Sequence, residues 1–196
     1  MAGTLDPLHG LYLGETCHIV GRGPSLLHLT PADFGPGPVI TLNLAILTIR
    51  TLALPNPIYA MQKDGCIQYD GRAPKPGAPG HICVWPLTPP IEPETLLVST
   101  IESPNCYGDY PRRFLFDPEP DFGLPWHTPS APCAVKLAAY MGCTSLVMLC
   151  HDAYTRGDGR TVEPQGIVDY HDAGYLQAGR LADRLAREAG LAIEWR

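Results

Sequence analysis

The segment Cys17-His18-Ile19-Val20-Gly21-Arg22-Gly23-Pro24-Ser25-Leu26 constrains this chain more than any other. A short apolar run stops at Gly-Arg-Gly-Pro-Ser and then turns amphipathic. That pattern predicts a strand over 17–20, a tight turn over 21–24 and a short helix over 25–29. The glycines permit positive φ and close approach to the backbone, and Pro24 suits a first helical position. The N–H groups that open a helix, with the positive end of its dipole, make such a turn an anion site suited to phosphate. Gly21, Arg22, Gly23, Pro24 and Ser25 are therefore candidate nucleotide-binding residues. The segment is neither a full G-x-G-x-x-G nor a P-loop, since no Gly-Lys-Ser/Thr follows. A strand-to-helix turn that binds nothing is the competing reading.

Strand-like and helix-like segments alternate along the rest of the chain. Val39–Asn43 predicts a second strand, and 44–50 reads either as its extension or as a helix. Pro55-Asn56-Pro57 breaks the chain before a third strand over 58–62. Ser130–Tyr140 predicts a helix with Ser130 at the cap, Pro132 near its start and Gly142 past its end. Ser145–Cys150 is a continuous apolar run of the kind a strand buried on both faces requires. A polar glycine loop over 155–160 leads to a last helix over 172–189 and a final strand over 191–195. This alternation predicts an α/β fold, a doubly wound and mostly parallel sheet in a single domain over 1–196. The 22 prolines cluster between 31 and 132, and only 82–85 and 96–100 look like strands within 66–128. That span reads as a Pro/Gly-rich loop or lid insertion, with a plain connector as its alternative.

Composition narrows the partners. The formal charge is −6 with no Lys/Arg block, which disfavours general electrostatic binding to nucleic acid. The seven cysteines are scattered, odd in number and never in a C-x-x-C pair. They read as reduced, buried small hydrophobes, which predicts a cytoplasmic protein. The first residues lack a basic region followed by an apolar core, so no signal peptide is expected. No apolar run approaches the length of a membrane span. Small α/β enzymes are often symmetric oligomers, so a homo-oligomer is one option, and the sequence leaves the oligomeric state open.

In a parallel sheet the ligand sits outside the carboxyl ends of the strands. Inspecting those ends adds Asn43, His151, Asp152 and Tyr154, and Ser130 opens a helix that can face the same crevice. Asn43 suits a hydrogen bond to ribose, base or phosphate, and equally a turn. His171, in Tyr170-His171-Asp172, titrates in the range of an acid or base near neutral pH, as does His151 beside Asp152. Plain alternatives stand beside each: Ser130 and Asp172 as helix caps, and a strand-end histidine as structure. No His-x-x-x-His or His-Glu-x-x-His spacing occurs, so no metal site and no tightly bound cofactor are expected.

These residues, taken in order, resemble bacterial lipooligosaccharide sialyltransferases. They also resemble a wider Rossmann-like family that includes hydroxymethylpterin pyrophosphokinases and flagellin-glycosylation accessory proteins. The resemblance rests on Gly21–Leu26, Thr41-Leu42-Asn43, Ser130 through Gly142 and the strand ending His151-Asp152-Ala153-Tyr154. It implies a Rossmann-like sheet in which Gly21, Gly23, Pro24 and Ser25 form the nucleotide phosphate turn. It further implies that Asn43 and Ser130 contact the nucleotide, that Tyr154 sits near its phosphate, and that Asp152 shapes that site. His171 falls near the family's catalytic base. Arg22 stands where the family's motif has Asn, and Pro129-Ser130-Ala131 where it has Thr-Ser-Gly. The family's second phosphate-binding Tyr has no match, but Arg160 lies nearby.

The expected function is a nucleotide-dependent group transferase resembling a glycosyltransferase. Its partners would be a nucleotide-activated sugar donor and an acceptor, with His171, or else His151 or Asp152, taking the acceptor's proton. One alternative is pyrophosphoryl transfer on a nucleotide or pterin, with Mg²⁺ held by carboxylates such as Asp64 and Asp152. Another is a non-catalytic nucleotide- or nucleic-acid-binding accessory protein.

Overall fold

Almost unbroken apolar runs at Cys17–Val20, Val39–Leu42, Ile58–Met61 and Leu146–Leu149 must be covered on both faces once they pair as strands. A computed structural model shows that arrangement. It describes residues 2–3, 5–43, 45–62, 95–100, 113–116, 118–125, 127–155, 160–163, 166–169 and 174–196. The strands are β1 (Ala2–Gly3), β2 (Thr16–Val20), β3 (Val39–Leu42), β4 (Ile58–Gln62), β5 (Thr95–Thr100), β6 (Arg113–Phe116), β7 (Ser145–Leu149), β8 (Arg160–Glu163), β9 (Gly166–Asp169) and β10 (Ala192–Trp195). The helices are α1 (Ala45–Ile49), α2 (Pro118–Phe122), α3 (Ser130–Tyr140), α4 (Asp152–Thr155) and α5 (Gly174–Glu188). Short 3₁₀ turns add to these, among them Pro24–His28.

Eight strands form one sheet in the order β1-β6-β5-β4-β3-β2-β7-β10, every pairing parallel. From β2 the chain steps outward through β3 and β4. It later returns to β7 on the other side of β2 and ends at β10. Crossovers between parallel strands are right-handed, so reversing the direction of travel moves the connections to the opposite face. The alternating side chains record this. Cys17, Ile19, Ile40, Leu42, Tyr59, Met61, Leu146 and Met148 pack with α3 and α5, while Val20, Val39, Ile58, Ala60, Val147 and Leu149 pack with α1 and Leu26.

Helix α3 explains how tightly the first of these layers closes. Eight of its eleven residues are buried, most of them Ala, Cys or Ser, and such small side chains let the helix approach both sheet and α5. It stops where the sequence predicts. Gly142 adopts φ +86°, its N–H donates to Ala139 O at 3.0 Å and that of Cys143 to Ala138 O at 3.1 Å. This is a Schellman motif, which needs a left-handed residue at that place. Gly190 closes α5 in the same way, at φ +73°, with Leu191 N–H donating to Ala186 O.

Several expectations need correction. The helix after the first turn is a five-residue 3₁₀ segment. Of the two readings left open for 44–50, residues 45–49 take the helical one. Pro129, not Ser130, holds the N-cap position of α3, and no side chain caps that end. The span 66–128 is not all insertion, because β5 and β6 lie in the main sheet. The expected strand at 82–85 lies outside the described residues. The hairpin β8–β9 falls partly in what reads as loop. Cys17, Cys133, Cys143 and Cys150 are buried thiols. Among the described residues no helix is long and apolar enough to cross a membrane.

Leu137 is fully buried between α3 and the sheet. Leu137→Ala should lower unfolding free energy by about 2–5 kcal/mol, read from urea denaturation, because so dense a layer relaxes poorly around the void.

Candidate functional site

Strand order reverses between β2 and β7, so the loops leaving their carboxyl ends part and open a crevice, the usual ligand position in parallel sheets. A cavity of about 180 Å³ lies there, walled by Gly21, Arg22 and Gly23 after β2, Asn43 after β3, and Cys150, His151 and Tyr154 after β7. Pro129 and Ser130 at the start of α3, Arg160 and Thr161 of β8, Tyr175 of α5, and the apolar Leu42 and Ala153 complete it.

The glycine turn is shaped first by the protein itself. Gly21 N–H donates to Leu149 O and Gly23 N–H to Cys150 O, each at 2.8 Å, which continues the β2–β7 pairing past the strand ends. A Cβ at Gly21 would fall on Cys150 O and the His151 ring, and one at Gly23 on the Asp152 carboxylate and Cys150 O. The glycines are thus required by the neighbouring chain segment, a demand the sequence reading assigned to a ligand. Ser25 N–H and Oγ–H both donate to Asp152 Oδ2, at 3.2 and 2.6 Å. The anion at this helix start is therefore the protein's own carboxylate. Ser25 and Pro24 do not line the cavity, and Asp152 serves as a clamp between the two loops.

His151 is a second clamp. Its Nε2–H donates to Ile19 O at 3.2 Å, which leaves Nδ1 unprotonated. Its ring stacks on Tyr154, with centroids 5.2 Å apart, and meets Trp195 edge-on at 5.6 Å. Trp195 is held in turn by Asp183 at 2.8 Å. Burial pushes His151 down to about 4, against the Ile19 hydrogen bond and the Asp152 charge that pull it up. A base that weak is poorly matched to proton abstraction near neutral pH. Burial likewise pushes the Cys150 thiol up to about 12, so it stays protonated and is no nucleophile.

Two cavity residues carry backbone strain. Asn43 has φ 50° and Cys150 φ 61°. Asn tolerates the left-handed region, whereas a residue such as Cys at that φ costs about 1–2 kcal/mol. The Asn43 turn is pinned by its N–H to Met61 O at 2.9 Å. Strain of this kind gathers where a chain must present groups at a fixed angle.

On the facing wall, the start of α3 turns toward the cavity without a side-chain cap. Ser130 is 9% exposed, and its hydroxyl makes no hydrogen bond to the described residues. Tyr154 and Tyr175 stand 5.7 Å apart as an aromatic edge. Helix α5 approaches Tyr154 closely because Gly179 faces it, where a Cβ would lie 3.0 Å from that of Tyr154. Arg22 O accepts the Val162 N–H at 2.7 Å, which fastens β8 to the turn and brings Arg160 to the cavity.

Of the residues singled out by sequence, Gly21, Arg22, Gly23, Asn43, Ser130, His151 and Tyr154 share this one cavity. His171 and Asp64 lie outside the described residues. Thr161 and Tyr175 escaped sequence reasoning. A tyrosine in the first turn of the last helix, beside a crevice-facing loop, is the signal that could have found the second. Among the described residues no three His, Cys, Asp or Glu side chains cluster as metal ligands. A larger groove of about 520 Å³ runs over the sheet between β10 and the 32–36 loop, walled by His18, Phe34, Val147 and Glu194 among others. It lies along the strands and not at their carboxyl ends. Its histidine is a buried anchor that accepts the Gly35 N–H at 3.1 Å.

Gly23→Ala should destabilise folding by about 1–3 kcal/mol in chemical denaturation, since the added methyl must part Asp152 from the turn. A second test concerns pH. The folded state keeps His151 neutral down to about pH 4, whereas the unfolded chain protonates near 6.5. The unfolded state thus binds more protons in that window. The contribution is complete above 6.5 and is lost as pH falls toward 4, by up to about 3 kcal/mol. Burial also lowers His18, which acts in the same direction. Denaturation curves from pH 7 down to about pH 4 should therefore show a loss about 2 kcal/mol smaller in His151→Gln than in the parent.

No protein-family model, curated protein or solved structure matches this chain.

Proposed function

We propose that this protein is a Rossmann-like, nucleotide-dependent group transferase that holds the phosphate end of an activated donor in the cavity between β2, β7 and α3. The observation that carries this reading is the convergence there of the glycine turn, two arginines, the uncapped start of α3 and Ser130. The sequence resemblance to sialyltransferases supports it and makes a sugar the first choice of transferred group. The thiol cysteines suit work on a cytoplasmic donor.

In direct displacement, the acceptor oxygen bonds to the donor carbon as the bond from that carbon to the phosphate oxygen breaks. Negative charge grows on the departing phosphate. Fixed donors aimed at that charge lower the barrier more than flexible ones. In this reading the donors are the opening N–H groups of α3, the Ser130 hydroxyl and Arg22, all at the cavity wall. The acceptor's proton falls to His171, because His151 is too weak a base and Asp152 is engaged by Ser25. That last observation also favours a second reading, a binding protein that keeps the donor site without turnover.

Thermal denaturation with nucleoside mono- and diphosphates and nucleotide sugars tests the proposal. A ligand at 100 times its Kd should stabilise by about 2.7 kcal/mol, a rise of roughly 5–10 °C for a chain this size. Ser130→Ala should weaken binding by about 2- to 10-fold. Release of free nucleotide in the presence of acceptor separates transferase from binder. No stabilisation by any nucleotide would sink both.

A further inference from the structure

We propose that the outer edge of β10 is a docking surface for a second copy of the chain. That copy adds its own β10 antiparallel and joins the two sheets about a twofold axis at Glu194.

β10 ends the eight-stranded sheet, and among the described residues no strand lies beyond it. Ala192 N–H donates to Thr144 O at 3.1 Å and Arg196 N–H to Met148 O at 3.0 Å, so both face β7. Direction alternates along a strand, which turns the N–H and C=O of Ile193 and Trp195 outward. A row of open main-chain groups is a template for strand addition.

Natural edges are commonly blunted by proline, a bulge, lysine or inward-pointing charge. β10 pairs with β7 in unbroken register from Ala192 to Trp195 and contains neither proline nor lysine. Its carboxylate is neutralised within the strand, because Arg196 donates to Glu194 through Nε at 2.7 Å and Nη2 at 3.0 Å. In a chain with a formal charge of −6, this edge brings no net charge against a second copy.

The strand is complementary to itself when reversed. With Glu194 on the axis, Ile193 of each copy lies opposite Trp195 of the other, and each such pair exchanges both of its main-chain hydrogen bonds. The two side chains pack, partly buried, against the core on the α5 side. An aromatic residue opposite a β-branched one is a favourable cross-strand pair. On the other face the two Glu194 carboxylates meet, each within reach of its own Arg196 and of the Arg196 of the second copy. The contact is isologous, the commonest kind between identical soluble chains. Its axis is perpendicular to the sheet, so the groove of about 520 Å³ walled by Val147 and Glu194 adjoins its own copy on the same side.

Sedimentation equilibrium over about a hundredfold range of protein concentration should show a monomer–dimer equilibrium that follows mass action. Ile193→Pro removes an outward N–H and no bond to β7, a change that an edge strand accepts. It should weaken dimerisation about tenfold or more. Glu194→Arg leaves only cations at the axis and Arg196→Glu only anions, and each should weaken dimerisation by about tenfold or more. Glu194→Arg combined with Arg196→Glu restores the alternation of sign and should return the Kd to within about threefold of the parent. Circular dichroism checks that each variant folds, and the charge variants supply the test should Ile193→Pro fail to fold. A monomer throughout the range overturns the inference. So does a dimer indifferent to Ile193→Pro and to both charge reversals, since it would be built on another surface.

Discussion

The contact between the turn after β2 and the turn after β7 is the constraint on which the rest depends. Parallel strands that neighbour each other in the sheet but not in the chain have no covalent reason to stay in register at their ends. Here the register is carried past the sheet by Gly21 to Leu149, Gly23 to Cys150, Ser25 to Asp152 and His151 to Ile19. All four hydrogen bonds are at least partly shielded from water, where an unmet polar group costs more than a made bond returns. The glycines follow from this contact, since any side chain at 21 or 23 would occupy the space of the opposing loop. So does the cavity, whose floor is the seam between the two turns.

The same contact divides labour among polar residues that look alike in sequence. Asp152 and His151 are adjacent and both suited in principle to acid–base work. In the fold Asp152 holds the start of the Pro24–His28 segment, and His151 is locked by a backbone carbonyl on one side and an aromatic stack on the other. Burial then keeps His151 neutral. The cavity wall is mixed, with Arg22, Ser130, Arg160 and Thr161 beside Leu42, Pro129, Ala153 and two tyrosines.

Much of this frame was legible in the amino-acid order. Glycine and proline punctuation marks β2 and its turn. The run Ser145–Cys150 marks a strand buried on both faces, and Gly142 marks the end of α3 through a left-handed φ that other residues resist. What was not legible depends on contacts far apart in sequence. Asp152 lies 127 residues from Ser25, and nothing local says that it caps that helix start. Strand β6 is four residues between Pro111 and Pro118, too short for a period to show, and is drawn into the sheet by β5. Ser130 has the composition of a cap and sits one place too late, because Pro129 already supplies the extended backbone that precedes a helix.

That displacement of one residue matters for chemistry. A capping serine turns its hydroxyl back on its own helix and satisfies the N–H groups that would otherwise seek an acceptor. With proline at the cap, no side chain caps that end of α3, and Ser130 lies instead in the first helical turn at the cavity wall. The clamp between β2 and β7 fixes the two turns that form the floor of the cavity on which this end of α3 opens.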